Sequence, residues 1–220
     1  VNVGERNSQN SRTDLLRASP RMFESDLLDF FSRVHPAVPV VIFAPAIAAL
    51  VYWALEGLAA GPFVGLFFAG YLLWTLFEYW LHRLVFHFEP EQGLGARLHW
   101  IIHGVHHDHP NDPLRLVMPP AVSVPLGGLI FLLLYAAFGN PDGVAIDAGF
   151  VAGYLAYDMT HYYLHHRVPR GRLGKLLREL HMRHHFQDDT RGFGISAPYW
   201  DLVFGTLPRG AAARRTQDRP

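Results

Sequence analysis

Four blocks of nearly uninterrupted apolar residues divide this 220-residue chain: 37–59 (AVPVVIFAPAIAALVYWALEGLA), 62–81 (PFVGLFFAGYLLWTLFEYWL), 119–138 (PPAVSVPLGGLIFLLLYAAF) and 143–164 (GVAIDAGFVAGYLAYDMTHYYL). Each is long enough to cross the roughly 30 Å hydrocarbon core of a bilayer as a helix. Glu56 and Asp147 do not veto a span, because each lies near a segment end from which a carboxylate reaches the headgroup region. Ahead of the first block, Phe23, Leu27, Leu28, Phe30 and Phe31 form the apolar face of a short helix lying on the inner leaflet. The pattern predicts an all-α integral membrane protein with four transmembrane helices. Residues 1–35 are its N-terminal tail with the interfacial helix, 36–208 the membrane domain with a helical cap, and 209–220 a disordered tail.

The basic residues orient these spans, since positive charge flanking membrane segments is retained on the cytoplasmic side. Five arginines precede Val34, Arg83, Arg97 and Arg115 lie between the second and third spans, and eleven Lys or Arg follow His166. Residues 34–82 and 116–166 contain none. The short links Gly57–Pro62 and Gly139–Gly143 are therefore external, and both termini and the 82–118 segment are cytoplasmic. Arginine outnumbers lysine eighteen to one, a bias that points to a GC-rich bacterial gene and so to a bacterial inner membrane.

Composition removes several classes of function. The net charge of +0 gives no basis for nucleic-acid binding. The absence of cysteine rules out disulfides, zinc ribbons, thiolate-bound iron–sulfur clusters and a cysteine nucleophile. The first twenty residues, rich in Ser, Asn and Arg, lack the apolar core of a signal peptide.

The chemistry lies in the histidines. Ten of the fourteen sort into four groups beside the apolar blocks: His82/His87, His103/His106/His107, His161/His165 and His181/His184/His185. On the topology above all four groups fall on the cytoplasmic side. Neutral imidazole is a common metal ligand, and ten ligands exceed what one ion holds, so two neighbouring ions are the economical expectation. His161 and His165 stand four apart and share one face of a helix, as do the i, i+3, i+4 histidines of HGVHH and HMRHH. His82 and His87 do not. Five residues rotate an α-helix by about 500°, leaving the two side chains about 140° apart, so the helix must end, bend or loop between them. Buried imidazoles without a shared ion would each need hydrogen-bond partners. His35 and His109 sit beside prolines in turns, His166 points about 100° away from His165, and His99 lies four before His103, where spacing alone does not exclude it.

An all-imidazole set suits iron, zinc or copper and does not choose among them. Each ligating ring needs its other nitrogen oriented by a carboxylate, carbonyl or water. Glu78, one turn before His82, and Asp158, three before His161, are the best-placed carboxylates. Tyr157 and Tyr162 are candidates for a substrate head group, although an interfacial aromatic belt explains tyrosines there equally well. Trp53, Trp74 and Trp80 read as lipid-facing or packing residues. A membrane zinc hydrolase and a metal-handling membrane protein are the readings from other classes. The first finds no HExxH motif, and the second should distribute polar ligands through its spans.

With their flanks, EYWLHRLVFH (78–87), HGVHHDHPNDPLRLVMPP (103–120), YDMTHYYLHH (157–166) and HMRHHF followed by FGISAPYWDLVFGT (181–206) resemble the fatty acid hydroxylase superfamily of membrane di-metal oxygenases. The similarity covers about residues 65–207 and is nearest to the fatty acid 2-hydroxylases, chiefly through RLVMPP, which argues against the sterol and carotenoid oxidases of the same superfamily. The resemblance implies hydroxylation at carbon 2 of a long acyl chain, carried by a fatty acid or a ceramide-type lipid, with dioxygen as co-substrate. It implies a di-iron centre, zinc being the alternative occupant in purified material, held by His82, His87, His103, His106, His107, His161, His165, His181, His184 and His185. Asp158 and Tyr162 become second-sphere or head-group residues, with His99 and His166 in support. Eukaryotic members carry a fused cytochrome b5-like domain that residues 1–35 cannot form. The resemblance therefore implies a separate electron donor, a cytochrome b5-like protein or a ferredoxin with its reductase.

Overall fold

Helices form where the apolar blocks predict them. The computed structural model describes residues 11–210, and among these there are helices and connecting loops but no strand. After α1 (Asp26–Phe31) come the long helices α2 (Ala37–Gly57) and α3 (Ala60–Leu81). Two short helices follow, α4 (Gly93–His99) and α5 (Val105–Asp108), and then the long α6 (Pro120–Phe138) and α7 (Asp142–His166). The C-terminal part holds α8 (Arg172–Phe186) and α9 (Tyr199–Val203). The tail expected to be disordered from residue 209 falls, from 211 onward, outside the described residues, as do residues 1–10.

Among the described residues three segments are long and apolar enough to cross a membrane: Ala37–Gly57, Ala60–Phe86 and Pro120–Phe138, with mean hydropathies of 2.2, 1.6 and 2.1. Each exposes large apolar side chains, among them Val41, Tyr52, Phe68, Leu72, Leu132 and Leu133, as a lipid-facing surface would. The expected fourth span, α7, is not among them. It carries Asp142, Asp147 and Asp158 in its 25 residues, and it packs against α2, α3 and α6. Every residue from Gly143 to Val151 is buried. A helix surrounded by protein is selected for small residues that let neighbours approach and not for hydropathy, so α7 reads as the centre of the bundle. Trp74, expected at the lipid or in packing, is buried edge-on against Phe150 and Tyr154.

The closest approach in the bundle is between α3 and α7. A Cβ added at Gly149 would land on the Phe67 carbonyl, and one added at Gly70 would land on the Ile146 carbonyl, so both contacts require glycine. Gly149→Ala is expected to force the two helices apart and destabilise the protein by about 3 kcal/mol. Gly128→Ala, which meets nothing within 4 Å, should leave thermal unfolding in detergent unchanged. Equal unfolding temperatures for the two variants would contradict this packing. The α3–α7 contact matters for function because both helices carry histidines at the same end.

Candidate metal centre

Each histidine reaches the centre through a local feature of the chain. After Leu81, helix α3 widens into a π-helical turn, His82–Phe86, closed by the bond from His87 N–H to the His82 carbonyl at 3.1 Å. A π turn holds about 4.4 residues, so five residues return to within roughly 50° of a full turn. His82 and His87 thus share a face without the end, bend or loop expected between them, and their ring centroids lie 4.9 Å apart. A second π turn, Trp100–Gly104, leads into α5 and displaces His103 relative to His106 and His107. Single π turns of this kind concentrate at functional sites.

The ten histidines come together as two groups of five, His82, His87, His103, His107, His184 and His106, His161, His165, His181, His185. Within each group one nitrogen per ring lies within 4.8 Å of every other. The sequence runs do not map onto the groups one to one: HGVHH and HMRHH are each divided, so adjacent His184 and His185 serve different groups. The groups touch, with the His107 and His185 rings 4.3 Å apart. His35 is exposed, His109 bonds the Leu15 carbonyl at 2.6 Å, and His166 lies on the Tyr162 ring at 4.2 Å. None of these joins a group, nor does His99, whose Nε2 stands 3.8 Å from Glu89.

The donor atoms fit metal ions. Nε2–Nε2 distances are 3.2 Å for His82–His103, 3.0 Å for His103–His107 and 3.1 Å for His87–His184. In the second group they are 3.1 Å for His106–His161 and 2.7 Å for His165–His181. Imidazole nitrogens about 2.1 Å from one ion and at right angles to each other stand about 3.0 Å apart. His82 Nδ1 donates to the Phe193 carbonyl at 2.8 Å, and His184 Nδ1 to the Arg191 carbonyl at 2.7 Å. A neutral ring that donates from Nδ1 presents a bare lone pair at Nε2, the form a metal requires. In the second group both nitrogens of His185 are buried without a hydrogen-bond partner among the described residues. Burial keeps these rings neutral, pushing His87 and His106 down to about 3 and His103 well below its ordinary value, with neighbouring imidazoles adding to the effect. All ten rings are thus available as ligands at neutral pH.

The loop following α8 orients two of the ligand rings. Glu78 does not touch His82 as expected. It accepts from Ser196 N–H at 2.8 Å and from the Ser196 hydroxyl, in the loop following α8. Asp201 was missed altogether: it is buried and accepts from Phe193 N–H and Gly194 N–H, both at 2.9 Å, and from Thr206 Oγ1 at 2.7 Å. Together these carboxylates fix residues 193–196 and thereby the carbonyl that orients His82. The available signal was an acid inside the apolar run PYWDLVF.

A cavity of about 290 Å³ meets the centre, with His103, His106 and His161 in its wall beside Phe31, Phe86, Val105, Val117, Met118 and Tyr157. Asp158 is also in this wall, where it accepts from Met118 N–H and Tyr154 O–H, both at 3.4 Å, and it does not bond His161. Tyr162, expected at the head group, is rotated one residue beyond His161 and lies on His166 outside the cavity.

A helical bundle with three candidate spans and ten buried or half-buried histidines in two converging groups defines a histidine-rich membrane metalloprotein fold. The model of the fatty acid hydroxylase family matches residues 67–206, and the chain belongs to that family, whose members are oxidoreductases. It is 39% identical over 202 residues to a dihydroceramide fatty acyl 2-hydroxylase of Arabidopsis thaliana, covering 91% of this chain and 85% of the relative. It is 35% identical over 220 residues to the human fatty acid 2-hydroxylase, covering 90% of this chain and 59% of that protein. The solved structure of full-length scs7p, with only its hydroxylase domain visible, superposes with a TM-score of 0.79 at 31% identity, covering 89% of this chain and 77% of the other. The curated relatives are eukaryotic, from plants, animals and yeasts, so the bacterial inner membrane suggested by the arginine bias gains no support from them.

Proposed function

We propose that this chain is a membrane monooxygenase that hydroxylates carbon 2 of a long acyl chain on a fatty acid or ceramide-type lipid. The observation that carries the reading is the apolar cavity ending on histidines of both groups, His103 from one and His106 and His161 from the other. The relatives' names as acyl and ceramide 2-hydroxylases support the same substrate class. The ten histidines would hold two ions. Iron there would supply the redox chemistry that an unactivated C–H bond needs, with one dioxygen oxygen entering the lipid and the other leaving as water at the expense of two electrons and two protons. Those electrons would come from a cytochrome b5-like or ferredoxin-type donor.

The protein's own part is positional. Phe31, Phe86, Val105, Val117 and Met118 sheathe the chain in apolar surface and keep water away from the reacting carbon. Tyr157 and Asp158 in the same wall are the polar groups that meet the head. Oxidation next to a carbonyl requires the head to lie almost against the histidines, where Tyr157 and Asp158 stand, while Arg115 and Ser32 are further polar residues of the wall. In this reading α7 spans the bilayer inside the bundle as a fourth transmembrane helix, and the histidine cap and both termini face the cytoplasm.

Lipid mass spectrometry of cells gaining or losing the chain tests the proposal. Gain should add acyl species one oxygen heavier, with the hydroxyl on carbon 2. Unchanged lipids from native, active protein holding stoichiometric zinc would sink it in favour of hydrolytic chemistry.

A further inference from the structure

A second, smaller cavity of about 30 Å³ lies inside the bundle between α2, α3, α6 and α7. Met118 stands in the walls of both cavities. The rest of the inner wall is largely aromatic and aliphatic, with Phe43 from α2, Trp74 from α3, Ile130 from α6, and Phe150 and Val151 from α7. Apolar voids of this kind stay dry and accept apolar guests. Phe150 precedes His161 by eleven residues on one helix, so at 1.5 Å per residue the cavity reaches about 16 Å from the second histidine group. An extended hydrocarbon chain advances roughly 1.3 Å per carbon, the projection of a C–C bond of about 1.5 Å. About a dozen methylenes beyond the reacting carbon therefore span the distance.

We propose that this inner cavity binds the methyl end of the acyl chain, and that Met118 is the partition which the chain displaces to enter it. The inference rests on the acyl-hydroxylase reading above and adds where the tail goes: into the protein and not out among the lipids. Met118 suits the role. Its backbone N–H is held by Asp158 at 3.4 Å, while its unbranched thioether arm has three rotatable bonds and adapts to what lies beside it. The tail's enclosure makes the cavity a ruler, so the two elements together set the longest chain that is hydroxylated.

Two substitutions should move the limit in opposite directions. Gly127 is in the inner wall, and a Cβ added there meets only Phe43 Cε1, at 3.9 Å, so the backbone admits a side chain that would fill the space. The full chain in membranes with its electron donor is given ceramides carrying saturated acyl chains of graded length, and the length distribution of the 2-hydroxy products is measured. Gly127→Leu should shorten the limit, with about ten-fold or greater loss for each methylene that no longer fits. Met118→Ala should lengthen it by about two to three carbons, the room left by the deleted Cγ, Sδ and Cε atoms. Metal content and thermal unfolding report whether each variant is folded, and if Gly127→Leu is not, Met118→Ala decides alone. An unchanged length profile in folded variants overturns the inference and puts the tail outside among the lipids. No hydroxylated product from the unsubstituted protein overturns the acyl-hydroxylase reading, and the inference with it.

Discussion

Replacing His184 with alanine and replacing His185 with alanine should each remove about one metal ion per chain, but not the same one. The two residues are adjacent in sequence yet belong to different groups, His184 with His82, His87, His103 and His107, and His185 with His106, His161, His165 and His181. Each variant should lose more than about 100-fold in hydroxylation, since disturbing even the partners behind metal ligands costs 10–100-fold. The double variant should hold almost no metal. His35→Ala, at an exposed histidine outside both groups, is the control and should keep both ions. Elemental analysis of protein purified without oxygen supplies the counts. Loss of both ions from either single variant would mean one shared cluster and not two groups of five.

Asp201→Ala should weaken metal binding without touching a metal ligand. The carboxylate accepts from Phe193 N–H, Gly194 N–H and Thr206 Oγ1, and its loss leaves the two backbone donors buried without their acceptor, while the Thr206 hydroxyl keeps the Tyr79 hydroxyl as partner at 2.9 Å. Unsatisfied buried donors of this kind cost about 1–3 kcal/mol each, so a total loss of about 3 kcal/mol or more is expected. The loop presents the Phe193 carbonyl to His82 and the Arg191 carbonyl to His184, so the damage should be one-sided. The group containing His82 and His184 should lose about 10–100-fold in metal affinity. The other group, whose rings take no bond from this loop, should keep its ion in a chelator titration that distinguishes the two release steps. Equal loss from both groups would make Asp201 a general stability residue and remove it from the support of His82.

Much of this was legible along the chain, because the features concerned are local. Helix positions follow from the length of apolar runs, and the ten histidines stand out by spacing and flanks. What failed to show was tertiary. The apolar run of α7 predicts a helix, but its place at the centre of the bundle depends on contacts such as Gly149 against the Phe67 carbonyl, which hydropathy does not contain. The offset of His82 and His87 was visible as a conflict with α-helical geometry, but a π turn resolves it as well as a loop does, and only backbone hydrogen bonds choose. The division of HGVHH and HMRHH between two groups depends on how α5 and α8 face each other, which no spacing within either run contains. Asp201 acts on His82 across more than a hundred residues of chain, through Phe193.

Two converging histidine groups at the end of an apolar cavity should transfer oxygen from dioxygen to a lipid. Membranes containing the full chain and a reducing donor, supplied with isotopically heavy dioxygen in ordinary water, are expected to form a 2-hydroxy acyl lipid carrying one heavy oxygen at carbon 2. A 2-hydroxyl free of the heavy isotope, or acyl release by water with no 2-hydroxy lipid formed, would contradict the oxygenase.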